Sequence, residues 1–362
     1  YTGKERDEET GLQYHSARYG VGASLEGASN AIEFRDRRAV QREEQLVSKK
    51  SKVHPDYKTK YKVRNWASYD QALVQRGDLT IWLSPTALEA WTALPSMKPG
   101  GQRTYSDVAI EAALMLRLVF GLPWRQTEGL LNSVLKLMNL SICSPDHTTL
   151  SRRSRGLDVA IPKRPAGESL HVILDATGLK VFGRGEWAAA KHGAGCREPG
   201  WRKLHLAVDD GGNILAAKLT ESEVPDAAAA PDLLEAVGGD IDRITADGGY
   251  DRLEVYEAAL RFGAKVVIPP RKDAATSCDP ILAERNAHIE HRKRAGKRQW
   301  RVDTGHHQQA RVENTFHRYK RTFGKGLRAR TEEGQLVEVL TGCRILNRML
   351  ELGKPESISI RD

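Results

Sequence analysis

The sequence predicts an α/β fold, a mixed sheet flanked by helices and preceded by a helical region. Trp201–Val208 alternates apolar and polar residues, Asp209-Asp210-Gly211-Gly212-Asn213 signals a turn, and Ile214–Leu219 returns as the second strand of an antiparallel hairpin. Beyond it the period switches back and forth. Pro225–Val237 reads as helix, Ile241–Ala246 as strand, Arg252–Phe262 as helix and Ala264–Pro269 as strand, a succession that suits helices on the faces of a sheet. Between residues 106 and 156 apolar residues recur at helical spacing instead.

Taken in order, residues 1–62 are rich in Gly, Glu, Arg, Lys and Ser and poor in apolar side chains, so they bury too little surface to offset their ordering entropy. Glu33–Lys50 has the composition of an exposed charged helix. The opening Tyr1–Gly20, YTGKERDEETGLQYHSARYG, resembles the end of an Rhs repeat-associated core, a polymorphic-toxin shell family. One such piece cannot build a shell, because repeats stabilise one another by stacking. The resemblance implies a fusion left by a mobile element, and no function is assigned to it.

Residues 63–160 form the helical region. Ile110–Phe120 follows a Ser106 start signal, Gly121-Leu122-Pro123 breaks the period, and Arg125–Leu140 carries the stripe Leu130, Leu131, Val134, Leu135 and Met138. Asp146 or Thr148 can cap a short basic helix, His147–Arg155, bearing Arg152 and Arg153. This pattern suits helix-turn-helix DNA contact and equally suits a helical bundle with a solvated basic face. In residues 161–352, Leu170–Asp175 reads as a strand that Leu179–Phe182 continues. Residues 271–305 are polar and basic and read as a mobile connection. Helices over Gln308–Phe323 and Glu333–Glu351 follow, leaving 353–362 as a tail.

Composition narrows the classes of function. The chain has 362 residues, 40% hydrophobic and 28% charged, with net charge +9, an excess that favours a polyanionic partner. Cys143, Cys196, Cys278 and Cys343 lie far apart, matching neither a zinc site nor a disulfide scaffold and pointing to a reducing cytoplasm. No apolar run approaches the roughly 20 residues that span a bilayer, and the start is charged rather than signal-like.

Two acids sit where strands end. Asp175 closes the apolar run Leu170–Leu174, and Asp247 closes Ile241–Ala246 before Gly248-Gly249 lets the backbone turn tightly. A carboxylate in such a place is costly unless paired or metal-bound. Singly, each is explained by a turn or cap; on neighbouring strands of one sheet the two would aim at a common point. Glu313 lies on the helix whose apolar side is Val312, Phe316, Tyr319 and Phe323. With His317 and Lys320 it forms an adjoining stripe, extended backward by Gln309 and His306, which alone would read as a solvated face.

The strings LDATGLKVFG, WRKLHLAVDDGG, ITADGGYD and RVENTFHRYKRTFG, in this order, resemble the catalytic domain of bacterial insertion-sequence transposases of the DDE class. The nearest group is insertion sequence family five, within the broader set sharing a DDE domain with family four. The resemblance runs from about Trp66 to Met349. It implies an RNase H-like fold, with Asp175, Asp247 and Glu313 as the acidic triad and Lys320 as the lysine of the Y-R-E-K signature. The signature's Arg and Tyr positions fall at Gln309 and His306, a departure that Arg311 or His307 would have to make good.

The chemistry explains the acids. Phosphodiester transfer needs an activated water or 3′-hydroxyl and a stabilised leaving oxygen, which two Mg²⁺ (or Mn²⁺) ions about 3.5–4 Å apart supply. Such hard cations take carboxylate oxygens, so Asp175 is expected to bridge both ions while Asp247 and Glu313 hold one each. Lys320 and His317 would meet phosphate near the cut. Arg202, Lys203 and His205 on the hairpin strand, and Arg298 within the run Arg292, Lys293, Arg294, Lys297, Arg298 and Arg301, would continue a DNA track. Trp300 within that run is either a base-stacking platform or a core aromatic. The expected partners are double-stranded DNA, namely terminal inverted repeats and target, and further copies of the chain in a dimer or higher assembly, in a bacterial cytoplasm at the nucleoid. The rival readings are a nuclease on the same fold without strand transfer, a transposase-derived DNA-binding regulator, and a toxin-shell protein.

Overall fold

The computed structural model describes residues 5–6, 13–14, 60–95, 100–164, 167, 169–181, 200–271 and 273–360. Glu33–Lys50 and Cys196 lie outside them. The chain divides into two compact units, residues 1–71 with 353–362, and residues 72–352. In the first, Lys60–Val63 pairs antiparallel with Ser357–Ile360, so the predicted tail is in part a strand. Among the described residues no helix is long and apolar enough to cross a membrane.

The second unit begins with helices. α1 (Asp107–Val119) starts at Ser106, whose hydroxyl accepts from the Ala109 N–H as the sequence predicts. α2 (Trp124–Leu137) buries Leu131, Val134 and Leu135. It stops before Met138, which is exposed, because Asn139 turns left-handed with φ 53°. α3 (His147–Arg153) is capped by Asp146, whose carboxylate accepts from Thr148 and Thr149. Leu150 anchors it in a core shared with α1 and α2.

The sheet follows. β1 (Leu170–Val181) is its long centre, with β2 (Trp201–Val208) and β3 (Ile214–Glu221) antiparallel on one side. α4 (Ala230–Val237) leads to β4 (Ile241–Thr245), and α5 (Leu253–Arg261) leads to β5 (Lys265–Val267), both strands parallel to β1. α6 (Ala283–Asp303), α7 (Ala310–Phe323), β6 (Gly326–Leu327) and α8 (Glu332–Leu352) complete the unit. The order is β3-β2-β1-β4-β5, with β6 beside the far end of β1. This is the mixed, helix-flanked sheet expected from the sequence, in the RNase H-like arrangement the resemblance implies.

α6 corrects the reading of 271–305 as a mobile connection. Its residues are strong helix formers, but only Ile289 and Trp300 are buried, so no apolar period announces it. Gly296, at φ 79°, breaks it locally.

Strand alternation gives the sheet two cores. Val172, Leu174 and Ala207 face α4 and α5, while Ile173, Leu179, Leu204 and Leu206 face α7 and α8. α8 also reaches the helical region, sending Val337 and Ile345 into the core of α1–α3 and Val339, Cys343 and Leu346 into the sheet core. Helical region and sheet are therefore packed by one shared helix.

Candidate active site

On β1 the row Ile173, Asp175, Thr177, Leu179 faces α7, so two polar residues interrupt an apolar row beneath a helix. β4 runs parallel with Ile173 opposite Thr245. Two residues on, that register sets Asp175 alongside Asp247, with neighbouring strands about 4.8 Å apart. Asp247 caps the turn Gly248–Tyr250 by accepting from the Gly249 N–H at 2.8 Å. The glycines are needed there. A Cβ on Gly249 would meet Asp247 Oδ1 at 3.0 Å, and one on Gly248 would meet the Pro269 carbonyl at 3.3 Å.

β4 ends at Thr245 and β6 pairs with β1 only from Lys180, so between them one edge of β1 has no strand partner. Buried carbonyls there still need donors. Gln309 Nε2 donates to the Leu174 carbonyl at 3.0 Å, and His306 Nε2 donates to the Ala246 carbonyl at 3.0 Å. Each carbonyl accepts from the turn entering α7 and immediately precedes an aspartate: Asp247 just past the end of β4, and Asp175 in the middle of β1, which runs on to Val181 instead of ending at Asp175 as the sequence suggests. His306 and Gln309, buried in the His306–Gln309 turn, thus fasten the Glu313 helix to the middle of β1 and the end of β4. Burial holds the His306 imidazole below its usual pKa, and Trp300 packs against it with ring centroids 5.2 Å apart. The sequence reading took these two for members of an open stripe. The signal was available in principle, since the signature's Arg and Tyr positions carry Gln309 and His306, groups that suit a buried hydrogen bond.

Glu313 and Lys320 lie two turns apart on α7, and Lys320 Nζ donates to Thr177 Oγ1 at 2.6 Å, two residues from Asp175 on the same strand face. Asp175 accepts only from the Ala176 N–H, at 2.8 Å. Burial is the main cause that lifts its carboxyl to about 7. The Ala176 bond opposes the rise, and the charges of Asp247, Glu313 and Asp226 add to it. Among the described residues, none of Asp175, Asp247 and Glu313 makes an ion pair. Nor, among the described residues, are three Asp, Glu, His or Cys side chains placed together to hold a metal ion, so the meeting of all three acids expected from the sequence is not seen here. A partly buried carboxylate that two other acids load with negative charge, with no basic side chain among the described residues to offset it, has the oxygen-donor chemistry that suits a hard cation, which needs only one or two protein carboxylates.

Tyr250 lies wholly buried, with no hydrogen-bond partner for its hydroxyl; burial first, then the charges of Asp175, Asp226 and Asp247, raise its pKa. Asp226 is held by Lys203 Nζ at 3.0 Å. Asp251, in the same DGGYD string, is a structural lock: its carboxylate accepts from Arg285 Nε at 2.7 Å, Tyr256 at 3.1 Å and the Arg271 N–H at 3.2 Å.

Several residues predicted to touch DNA are placed otherwise. His205 is fully buried and bonded to Thr220, so DNA cannot reach it, and Lys203 is engaged by Asp226 and the Val224 carbonyl. Alternation turns both to the sheet face opposite Asp175. Arg202 shares the Asp175 face but is claimed by Glu221 and Glu332, and Arg153 by Asp107 and the Tyr105 carbonyl. Trp300 is a core aromatic, 1% exposed. Arg152, Arg298, Arg311 and His317 are exposed, as a nucleic-acid contact requires.

Residues 166–348 match a family model described as transposase DDE domain, and residues 74–184 match a second model of the same description. Among solved structures, the chain is similar to the piggyBac transposase in a synaptic complex with hairpin DNA. That likeness has 12% identity and a TM-score of 0.39, covering 76% of this chain and 73% of that one. It is also similar to the Mos1 transposase in a paired-end complex with the left transposon end, at 12% identity and a TM-score of 0.19 over 72% and 83% of the two chains.

Proposed function

The chain belongs to the transposase DDE domain family, and from that membership we propose that Asp175, Asp247 and Glu313 carry metal-dependent cutting and joining of DNA at the ends of an insertion sequence. The observation behind this assignment is the charge imbalance at Asp175, where two further acids act on a partly buried carboxylate that no cation among the described residues offsets.

Divalent cations serve this family, and here two Mg²⁺ or Mn²⁺ ions would lower the pKa of the attacking water and stabilise the leaving oxygen. Asp175, Asp247 and Glu313 would hold them. Asp247 would keep one oxygen on the Gly249 N–H and present the other. Lys320, set by Thr177 beside the Asp175 strand, would grip a phosphate adjacent to the cut. Arg311 and His317, exposed on α7, and Arg298 on α6 would hold the flanking backbone. Arg152 would serve DNA held by the helical region, and joining two element ends would call for at least two copies of the chain.

The decisive test is Asp247→Asn with a duplex carrying an element end. Mg²⁺-dependent cleavage should vanish while binding stays close to wild type. Normal cutting by that variant would remove Asp247 from the site. A strand-transfer product from wild type separates transposition from simple hydrolysis.

A further inference from the structure

Between the helical region and the start of α8 lies a cavity of about 360 Å³ whose walls include Arg117, Arg155, Arg328 and Arg330. Arg117 comes from the last turn of α1 and is 7% exposed, yet its Nε has no hydrogen-bond partner. Its guanidinium lies over the Trp124 ring, 4.3 Å from the centroid. Arg328, in the loop after β6, approaches the α1–α2 turn, since a Cβ on Gly121 would meet its Nη2 at 3.5 Å. Arg155 reaches the first turn of α8, where its Cγ would lie 3.7 Å from a Cβ on Gly334. Among the described residues none of the four guanidinium groups forms a hydrogen bond or ion pair. The one acid in the wall, Glu338, accepts from the backbone N–H groups of Arg328, at 2.9 Å, and Ala329, at 2.8 Å, and its charge also acts on Arg117 and Arg328, one carboxylate against four guanidinium groups.

Four cations held around one cavity with a single carboxylate, one of them buried, are unfavourable unless a further anion joins them. Arginine favours phosphate, because its planar fork of donors matches two phosphate oxygens at once. The cavity shares Trp124 and Arg155 with a wider cleft of about 740 Å³ bordered by Arg125 and Arg152. A chain of phosphates therefore has somewhere to continue, which an isolated anion would not need.

We infer that the Arg117–Arg155–Arg328–Arg330 cavity is a phosphate-binding site that holds one backbone phosphate of a DNA strand, away from the catalytic acids. DNA as the source of that phosphate rests on the transposase reading. The test uses the whole chain in EDTA, so that no strand is cut. In an Arg155→Ala, Arg330→Ala double variant, duplex binding should weaken and the slope of log affinity against log salt should become shallower by about one or more. Ethylation of one particular phosphate should block binding to wild type and cease to matter in the variant. Arg117→Met, which keeps the packing on Trp124, should show the same loss. Should it not fold, the double variant decides, since both its residues are exposed.

Unchanged affinity, slope and ethylation pattern in the double variant would overturn the inference. So would protection of wild type against heat by inorganic phosphate, lost in the variant, if DNA binding were unaffected, because the cavity would then take free phosphate. A chain that binds DNA with the expected slope but never cuts it, even with Mg²⁺, would sink the transposase reading and leave the phosphate site standing.

Discussion

Where β1 passes the end of β4 the molecule gathers negative charge that no basic side chain among the described residues offsets, and beside the first turn of α8 it sets four arginines against one carboxylate, Glu338, already bonded to two backbone N–H groups. A third place behaves differently. Asp251, as buried as any acid in the chain, is matched by Arg285, Tyr256 and a backbone N–H. Where a buried charge only holds the fold together, this protein supplies its partner. The two unmatched clusters are therefore read as places whose counter-charge comes from outside, a cation in one and a phosphate in the other.

The largest expected effect tests the acidic cluster. Asp175→Asn should lower cleavage of an element end on the order of a thousandfold or more, as loss of a catalytic group does. Retention of DNA affinity in a gel-shift assay would show that chemistry and not folding was lost. Activity within a few-fold of wild type would mean that the imbalance at Asp175 serves something other than catalysis.

Next in size is the matched charge. Arg285→Ala strands the Asp251 carboxylate, whose side chain is 0% exposed, and should cost about 3 kcal/mol of stability in a denaturant titration. Arg117→Met removes a charge that has no such partner, so its cost should be under about 1 kcal/mol or of opposite sign. Equal losses from the two variants would erase the distinction between matched and unmatched charge.

The His306–Gln309 turn sharpens the same comparison from the side of geometry. Gln309→Ala and His306→Ala each leave a buried carbonyl without its donor, beside Asp175 and Asp247 respectively. Such supporting groups typically matter 10–100-fold. A fall in cleavage of about that size should come with a higher Mg²⁺ requirement. The effect on DNA affinity should be small. A variant with an unchanged metal requirement would reduce the turn to scaffolding.

What could be read from the sequence divides along similar lines. The end of β4, the hairpin at 209–213 and the α1 and α3 caps were legible because local chemistry writes them: alternation, turn residues, a serine or aspartate before a helix, whereas β1 runs on past Asp175 to Val181. Asp175 and Asp247 were legible as a pair for the same reason. α6 was not, since a helix with two buried residues leaves no apolar period. Nor could the sequence tell that Arg202 and Lys203 would be claimed by Glu221, Glu332 and Asp226, because those partnerships depend on the strand face and on segments up to 130 positions away. His306 and Gln309 were misjudged because their acceptors, the Ala246 and Leu174 carbonyls, exist only where the parallel ladder stops.

The smallest effect is one of pH, and its sign separates an unmatched acid from a matched one. The Asp175 carboxyl is lifted from an ordinary 3.8 to about 7, chiefly by burial. Between those values the folded chain binds a proton that the unfolded chain has released, so this group's contribution to stability falls as pH rises through that window. Asp175→Asn abolishes the contribution. In EDTA the melting temperature of the variant should therefore gain on wild type from pH 5 to pH 8, by on the order of a few degrees. Mg²⁺ should reverse the gain at pH 8 by stabilising wild type alone, because binding at the ionised carboxylate favours the folded state. A difference between variant and wild type that stayed flat with pH would mean that Asp175 is already satisfied within the protein, and the case for an external cation at β1 would lose its physical basis.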